Sequence, residues 1–162
     1  PRLVIPFIDK DENVIGVQGR ALDQSNLRYV TIMFDESKPK IFGLDTVDFN
    51  KNVYILEGPI DSMFVDNSVA MAGSDGDLSR FDASRTVYVY DNEPRNRDIV
   101  NKVEKQLRND SSVFIWPDNV KHKDINDCIL AGMTNKDIMD MIGNNTFSSL
   151  KGRLRLNDWK KV

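Results

Sequence analysis

The sequence predicts an α/β fold in which a parallel sheet with crossover helices follows a small, mainly antiparallel β part. After residue 52, β-branched runs alternate with segments of helical composition, a pattern typical of parallel strands joined by crossover helices. Before residue 50, short extended segments are separated by polar turns, which is typical of antiparallel strands. The 162 residues, 40% of them hydrophobic, provide enough apolar surface for a stable core.

The first part, residues 1–50, is predicted to form the small antiparallel layer. It contains four extended segments, which are LVIPFID, NVIGVQGR, RYVTIMF and KIFGL. Turn-forming residues such as Asp, Asn, Ser and Pro separate them. We therefore expect four short strands in this part.

The second part, residues 51–131, is predicted to hold the parallel sheet. Its strands are VYIL, SVAMAG, TVYVYD and SVFIW. A short helix is expected to begin near Pro59, because proline suits the first helical position. A second helix is predicted over 95–109, with an apolar stripe of Ile99, Val103 and Leu107. A third is predicted over 125–131.

The third part, residues 132–162, is predicted to be helical and basic. Asn135 and Gly143 are expected to cap the two ends of one helix. The remaining residues space Leu150, Leu154 and Trp159 as a short amphipathic helix would, although Gly152 disfavours it. Between residues 148 and 162, five Lys or Arg stand against one acid. This tail therefore has a net charge of +4, and the rest of the chain has a net charge of −7, which together give the formal charge of −3.

The composition also excludes several classes of protein. No apolar run approaches the about 20 residues that cross a bilayer, and the amino terminus lacks the apolar core of a secretory signal. One cysteine and one histidine exclude an internal disulfide and a zinc site made of Cys and His. We therefore expect a cytoplasmic protein with no membrane partner and no zinc.

Carboxylates follow three of the predicted strands. VYIL runs into Glu57 and Asp61, TVYVY runs into Asp91 and Glu93, and the loop after SVFIW leads to Asp124. Because ligands bind at the carboxyl ends of parallel strands, adjacent strands would bring these acids together. Such a cluster suits Mg²⁺, which prefers carboxylate oxygens, water and phosphates. A pair of such ions can assist phosphoryl transfer.

Each acid also has a purely structural interpretation. Glu57 could cap the helix that follows, Asp91 could be a turn residue, and Asp124 could be a helix N-cap. Only the recurrence of acids after three strands favours a metal site. His122 is expected to be a solvated loop residue, and Cys128 a small buried residue of the third helix.

The order of these motifs resembles that of the Toprim domain, which bacterial-type DNA primases, topoisomerases and some nucleases share. VYILEGPIDSMF, SVAMAGSD and KDIND are similar to the primase versions. Upstream, IPFIDKDENVIGVQGRAL, RYV and KIFGL resemble the segment that precedes Toprim in the primase core. The other Toprim enzymes lack that segment. The DNEPRN stretch is more similar to primases of large tailed phages.

The resemblance implies a Toprim-like sheet over 51–131 and synthesis of short RNA primers on single-stranded DNA. It implies Mg²⁺ or Mn²⁺ as cofactor, ribonucleoside triphosphates as substrates, and a replicative helicase as partner. The catalytic residues would be Glu57, Asp61 and Asp91, and the metal ligands would be Glu57, Asp91, Glu93 and Asp124. By resemblance, Arg20 and Arg28 would face the template or the incoming nucleotide. Beyond the resemblance, we expect the basic residues Arg95, Arg97 and Lys123 to bind nucleic acid or nucleotide as well.

Four residues depart from the family pattern, and two of them, Arg95 and Asn96, stand where the family usually has a small residue and Gly. Glu93 and Asn126 each stand where the family usually has Asp, so the number of bound ions is open. Two other hypotheses also stay open: a Toprim nuclease, and a non-catalytic fragment that binds nucleic acid or a replication partner.

Overall fold

The computed structural model describes residues 1–72, 78 and 80–162. The predicted SVAMAGSD turn falls partly on residues 73–75 and lies outside that description. The described chain contains two sheets, and the first is antiparallel with strand order β1-β2-β3. These strands are β1 (Arg2–Ile8), β2 (Val14–Ala21) and β3 (Tyr29–Met33). They confirm the predicted antiparallel layer, with Ile5, Phe7 and Ile15 buried on its inner face.

The prediction of a fourth strand at KIFGL is wrong. Only Phe42 pairs, through a single bridge to Ala70 in the second sheet. Pro39 lacks an N–H donor, and Gly43 adopts a positive φ of 86° with the Ser68 carbonyl oxygen 2.9 Å from where its Cβ would stand. The segment therefore turns at both ends instead of continuing as a strand, and it joins the two sheets.

The second sheet has strand order β5-β4-β6-β7-β8. The strands are β4 (Val53–Leu56), β5 (Ser68–Ala70), β6 (Thr86–Val89), β7 (Ser112–Phe114) and β8 (Thr146–Phe147). The first four are parallel, as predicted, and β6 is buried along its whole length. The short antiparallel strand β8 pairs with β7 and was not expected. Strand β8 lies in residues 132–162 but extends the sheet of residues 51–131. The boundaries proposed between the three parts of the chain therefore stay predictions.

Among the described residues, four α-helices accompany the sheet up to residue 144, and a 3-10 turn at Ala83–Arg85 precedes β6. The α-helices are α1 (Pro59–Ser62), α2 (Arg97–Arg108), α3 (Ile125–Leu130) and α4 (Asn135–Asn144). The predicted stripe of Ile99, Val103 and Leu107 is buried. Helix α2 begins at Arg97 because the Asn96 side chain caps it, accepting the Asp98 N–H at 3.0 Å.

The predicted caps of α4 are wrong. Its N-cap is Thr134, whose hydroxyl accepts the Asp137 N–H while the Asp137 carboxylate accepts the Thr134 N–H at 2.8 Å. This reciprocal pair places the N-cap at Thr134, one residue before the predicted cap, so that Asn135 is the first residue of the helix. At the other end Gly143 stays helical, and the helix ends at Asn144, where Asn145 takes over as C-cap.

The last helix, α5 (Ser149–Trp159), forms despite Gly152. The predicted stripe is wrong at Leu150 and Leu154, which are exposed, whereas Gly152, Leu156 and Trp159 are buried. Gly152 lies against α2 so closely that a Cβ there would stand 2.4 Å from Leu107 Cδ2. Close packing of two helices therefore outweighs helix propensity at this position. No helix of the described residues is long and apolar enough to span a membrane.

Replacing Gly152 with Ala is expected to destabilise the protein by about 1–3 kcal/mol, because the added Cβ would overlap Cδ2 of fully buried Leu107 in a closely packed core. Gly143→Ala is the matched control, since nothing lies within 4 Å of its added Cβ, and it is expected to gain up to about 1 kcal/mol from helix propensity. Thermal denaturation measures both, at roughly 2–4 °C per kcal/mol. Equal midpoints for the two variants would contradict the close packing.

Candidate active site

A cavity of about 440 Å³ lies between the carboxyl edge of the second sheet and the inner face of the first. Its acidic wall comes from the loops and helix starts that follow β4, β6 and β7: Glu57, Asp61, Asp91, Asp124 and Asp127. Its other wall comes from β2, β3 and the residue before β3: Gln18, Arg20, Arg28, Tyr29 and Thr31. The strand order β4-β6-β7 brings the three acidic loops side by side, as the sequence predicts.

Local backbone structure positions the carboxylates. Glu57 directly follows β4, and it does not cap α1, whose N-cap is Gly58. Asp61 lies in the first turn of α1, and its Oδ1 accepts the backbone N–H of Asn126 at 2.8 Å. Asp124 is the N-cap of α3, where its Oδ1 accepts the Asp127 N–H at 2.8 Å. The structural interpretation of Asp124 as a cap is therefore correct, and it leaves the second carboxylate oxygen for other contacts.

Burial and mutual repulsion act on the central carboxylates. Burial, followed by the negative charges of Glu57, Asp61 and Asp124, raises the pKa of Asp91 to about 7. Burial also raises the pKa of Asp61, and Asp124 adds to the effect, while the Asn126 N–H opposes it. Acids that raise one another's pKa stand in a place that favours a positive charge.

Two lysines already engage acids that the sequence assigns to the metal. Lys102 of α2 forms an ion pair with Glu57, and Lys123 forms one with Glu93 at 2.9 Å. Glu93 also accepts a hydrogen bond from Asn96, and these contacts lower its pKa. Glu93 is absent from the described cavity lining, so its role as a ligand stays a prediction.

Within the described residues, no group of three or more His, Cys, Asp or Glu side chains is placed to hold a metal ion. The chemistry of the cavity wall nevertheless suits a hard divalent cation, because its acidic donors are carboxylate oxygens and burial leaves them short of counter-charge. Glu57, Asp91 and Asp124 are the predicted ligands that border the cavity. Binding would require their side chains to turn toward a common centre.

The predicted basic residues fall into two groups. Arg20, Arg28 and Lys123 line the cavity, and the Arg20 guanidinium lies over the Tyr29 ring at 5.7 Å from its centroid. Arg95 and Arg97 are exposed at the start of α2 and do not belong to the described lining. Their proposed contact with a template backbone stays a prediction.

Several residues of the site were missed from the sequence. Gln18, Tyr29 and Thr31 line the cavity, and their alternate spacing with Arg20 along two paired strands could have placed them on one face. The pairing of Lys102 with Glu57 joins residues 45 positions apart and left no local signal. Cys128 is buried, as expected, and burial raises the pKa of its thiol to about 11.

Comparison with known proteins identifies the fold. No protein-family model matches the chain. The chain is 37% identical to the DNA primase of Enterobacteria phage T4 over 166 aligned residues, which cover all of this chain and 48% of that protein. It superposes on the RNA polymerase domain of Mycobacterium tuberculosis primase DnaG with a TM-score of 0.65, at 22% identity, over 88% of this chain and 54% of that one. A DnaG catalytic domain bound to single-stranded DNA gives 0.64, at 18% identity, over 97% and 62%.

The fold is that of a DnaG primase catalytic core. The comparisons confirm the resemblance to bacterial-type primases and the mixed α/β architecture predicted from the sequence. The relative from phage T4 also agrees with the phage-like character of the DNEPRN stretch. The chain spans about half the length of that relative.

Without divalent ions, the free energy of unfolding of the Asp91→Asn variant is expected to increase relative to that of the unchanged protein as the pH rises from 5 to 8. An acid with a pKa near 7 when folded and near 3.8 when unfolded binds more protons in the folded state between those values. Its contribution is therefore present at low pH and is lost as the pH rises through 7. Because Asp91 is only partly buried, we expect the difference to grow by roughly 1–2 kcal/mol.

Thermal denaturation at both pH values in the presence of a chelator measures this difference. Asp158→Asn, an exposed acid of α5, is the control and should show no such trend. A constant offset between Asp91→Asn and the unchanged protein at the two pH values would show that Asp91 is an ordinary acid.

Two substitutions at Asp124 separate its capping role from its charge. Asp124→Asn keeps a good N-cap and is expected to change stability by less than about 0.5 kcal/mol, whereas Asp124→Ala should lose about 1 kcal/mol. Loss of the carboxylate should lower a cation-dependent activity in both variants. If only the Ala variant lost activity, Asp124 would act through helix α3 alone.

Proposed function

We propose that this chain is the catalytic core of a DNA primase, which makes short RNA primers on single-stranded DNA. The observation that supports this best is the cavity itself, which carboxylates from three adjacent strand ends of the second sheet share with Arg20 of the first sheet and Arg28, the residue before β3. The fold of primase catalytic cores and the likeness to a phage primase agree with it. The substrates would be ribonucleoside triphosphates. The protein would act in the host cytoplasm, together with a replicative helicase.

The reaction joins two nucleotides. The 3′-hydroxyl oxygen of one attacks the α-phosphorus of an incoming triphosphate, the P–O bond to the β-phosphate breaks, and pyrophosphate leaves with the bond's electron pair. The hydroxyl proton passes to a base. Such chemistry depends mainly on positioning and on electrostatic stabilisation of developing charge.

Glu57, Asp91 and Asp124 would hold one or two divalent cations, Mg²⁺ or Mn²⁺, with Glu93 as a further ligand. When bound, such ions neutralise charge on the attacking and leaving oxygens. Glu57 would leave Lys102 for this purpose, or would serve as the base that accepts the hydroxyl proton. Asp61, fixed by the Asn126 N–H, would orient Glu57.

The basic residues would bind the phosphates. Arg20, Arg28 and Lys123 line the cavity, where they can neutralise the triphosphate. Arg95 and Arg97 lie outside it, and together with the basic tail they would follow the template backbone. This distribution explains how a chain of net charge −3 can act on a polyanion.

Asp91→Ala is expected to lower primer synthesis by at least about 100-fold, because it removes the central carboxylate from the place where charge develops. The assay supplies single-stranded DNA, ribonucleoside triphosphates and Mg²⁺ or Mn²⁺, and it measures short RNA products. Asp158→Asn, remote from the cavity on α5, should retain full synthesis.

Two results would contradict the proposal. Cleavage of the DNA strand without RNA synthesis would identify a Toprim nuclease. Binding of DNA with neither reaction, under both metals, would identify a non-catalytic module.

A further inference from the structure

Gln18 is an unusual residue of the cavity wall. It lies on β2, it is only 3% exposed, and its Nε2 donates a hydrogen bond to the Thr31 hydroxyl at 3.1 Å. Its Oε1 exposes less than 1 Å² of surface and has no hydrogen-bond partner. Among the side-chain oxygens and nitrogens of the described residues, this is the single buried atom left without one.

An unpaired buried acceptor needs an explanation, since roughly nine in ten buried polar groups in proteins are paired. Packing alone does not require glutamine here, because an apolar side chain of similar length would fill the same space without the unpaired oxygen. Polar groups that cost stability in this way concentrate at binding sites. Gln18 lines the same cavity as the carboxylates, so a ligand is the natural partner for its oxygen.

The neighbouring side chains specify which chemical group would bind. Thr31 stands directly opposite Gln18 in the β2–β3 pair, and Tyr29 stands opposite Arg20. The Thr31 oxygen already accepts from Gln18, and no acceptor within the described chain takes its hydroxyl proton. The pair therefore offers one acceptor, Oε1, and one donor, the threonine O–H. A hydroxyl group matches both, because it donates and accepts at once.

We infer that Gln18 and Thr31 bind a sugar hydroxyl of the ribonucleotide and so select ribonucleotides over deoxyribonucleotides. This inference rests on the proposed function, which makes a ribonucleotide the occupant of the cavity. A small turn about the soft terminal torsion of glutamine lets Oε1 meet a hydroxyl that enters beside half-buried Thr31 while Nε2 keeps its hydrogen bond to the Thr31 hydroxyl. A base amino group would satisfy Oε1 but would leave the threonine proton without an acceptor, so the sugar is the better match.

Nucleotide titrations followed by NMR test the inference directly. The ligands are ATP, its 2′-deoxy, 3′-deoxy and 2′,3′-dideoxy forms, and ITP, which lacks the amino group of adenine. The unchanged protein should bind ATP about tenfold or more tightly than the dideoxy form, the equivalent of a single well-placed hydrogen bond. The Gln18 side-chain amide resonance should shift with ATP and ITP but not with the dideoxy form. The two monodeoxy forms identify the hydroxyl.

Gln18→Leu should lower ATP affinity about tenfold and leave dideoxyATP affinity within about twofold, so that the preference disappears. Gln18→Met serves as a second variant of similar volume, and Thr31→Val should reduce the preference in part. Gln106→Leu, at a glutamine of α2 that bonds to the Tyr90 hydroxyl, is the matched control and should keep the preference. The melting temperature of the Leu or Met variant should hold or rise, because an unpaired buried oxygen is removed.

Three results would overturn the inference. If both Gln18 variants kept the full preference for ATP over dideoxyATP, Gln18 would have only a structural role. The same would follow if the variants had a lower melting temperature and lost equal affinity for every nucleotide. Loss of affinity for ATP and dideoxyATP but not for ITP would mean that Gln18 binds the base. If the unchanged protein makes primers while its Gln18 variants keep the preference, the inference alone fails. If it neither makes primers nor binds nucleotide, the proposed function fails as well.

Discussion

The repulsion among partly buried carboxylates at one edge of the second sheet is the constraint on which the rest of the site depends. The loops that follow parallel strands lie at the same edge of a sheet. The acids that follow β4, β6 and β7 therefore lie close to one another. The result appears at Asp91, whose pKa rises to about 7. An arrangement this costly persists in a folded protein only where surrounding groups offset part of it, and here Glu57, Asp61 and Glu93 each have a specific neighbour that does so.

Those neighbours are cationic side chains and backbone N–H groups. Lys102 pairs with Glu57, Lys123 with Glu93, and the Asn126 N–H with Asp61. Each of these partners comes from a different segment than the acid it supports, so the carboxylates also tie the segments together. The Asp61 contact fixes α1 against the first turn of α3, where Asp124 serves as the cap. One set of side chains therefore supplies both the negative charge of the cavity and part of its framework.

The sequence predicted the parts of this arrangement that follow from local pattern. Strand composition and the parallel order were enough to place Glu57, Asp91 and Asp124 around one cavity. Contacts between distant segments left no such signal: the Lys102 pair, strand β8 of only two residues, and the buried side of α5. At Gly152 the local rule pointed the wrong way, since glycine disfavours a helix but permits the close approach to Leu107 that holds α5. Gln18 could be placed on the correct face, yet its unpaired oxygen depends on three-dimensional neighbours.

The cavity needs both sheets, so its shape depends on how they are joined. Within the described residues, Phe42 connects the sheets: it bridges to Ala70 and packs edge-on against Phe7 at 6.3 Å between ring centroids. Lys10, in the turn after β1, adds a hydrogen bond to the Val47 carbonyl and lies over the Phe49 ring at 5.2 Å. The acidic wall is anchored in the large core of the second sheet, whereas the first sheet shares a smaller apolar cluster with the second, in which Phe7 and Ile15 meet Ala72. The KIFGL segment fails as a strand but matters to the site, because its Phe42 connects the two sheets that carry the walls of the cavity.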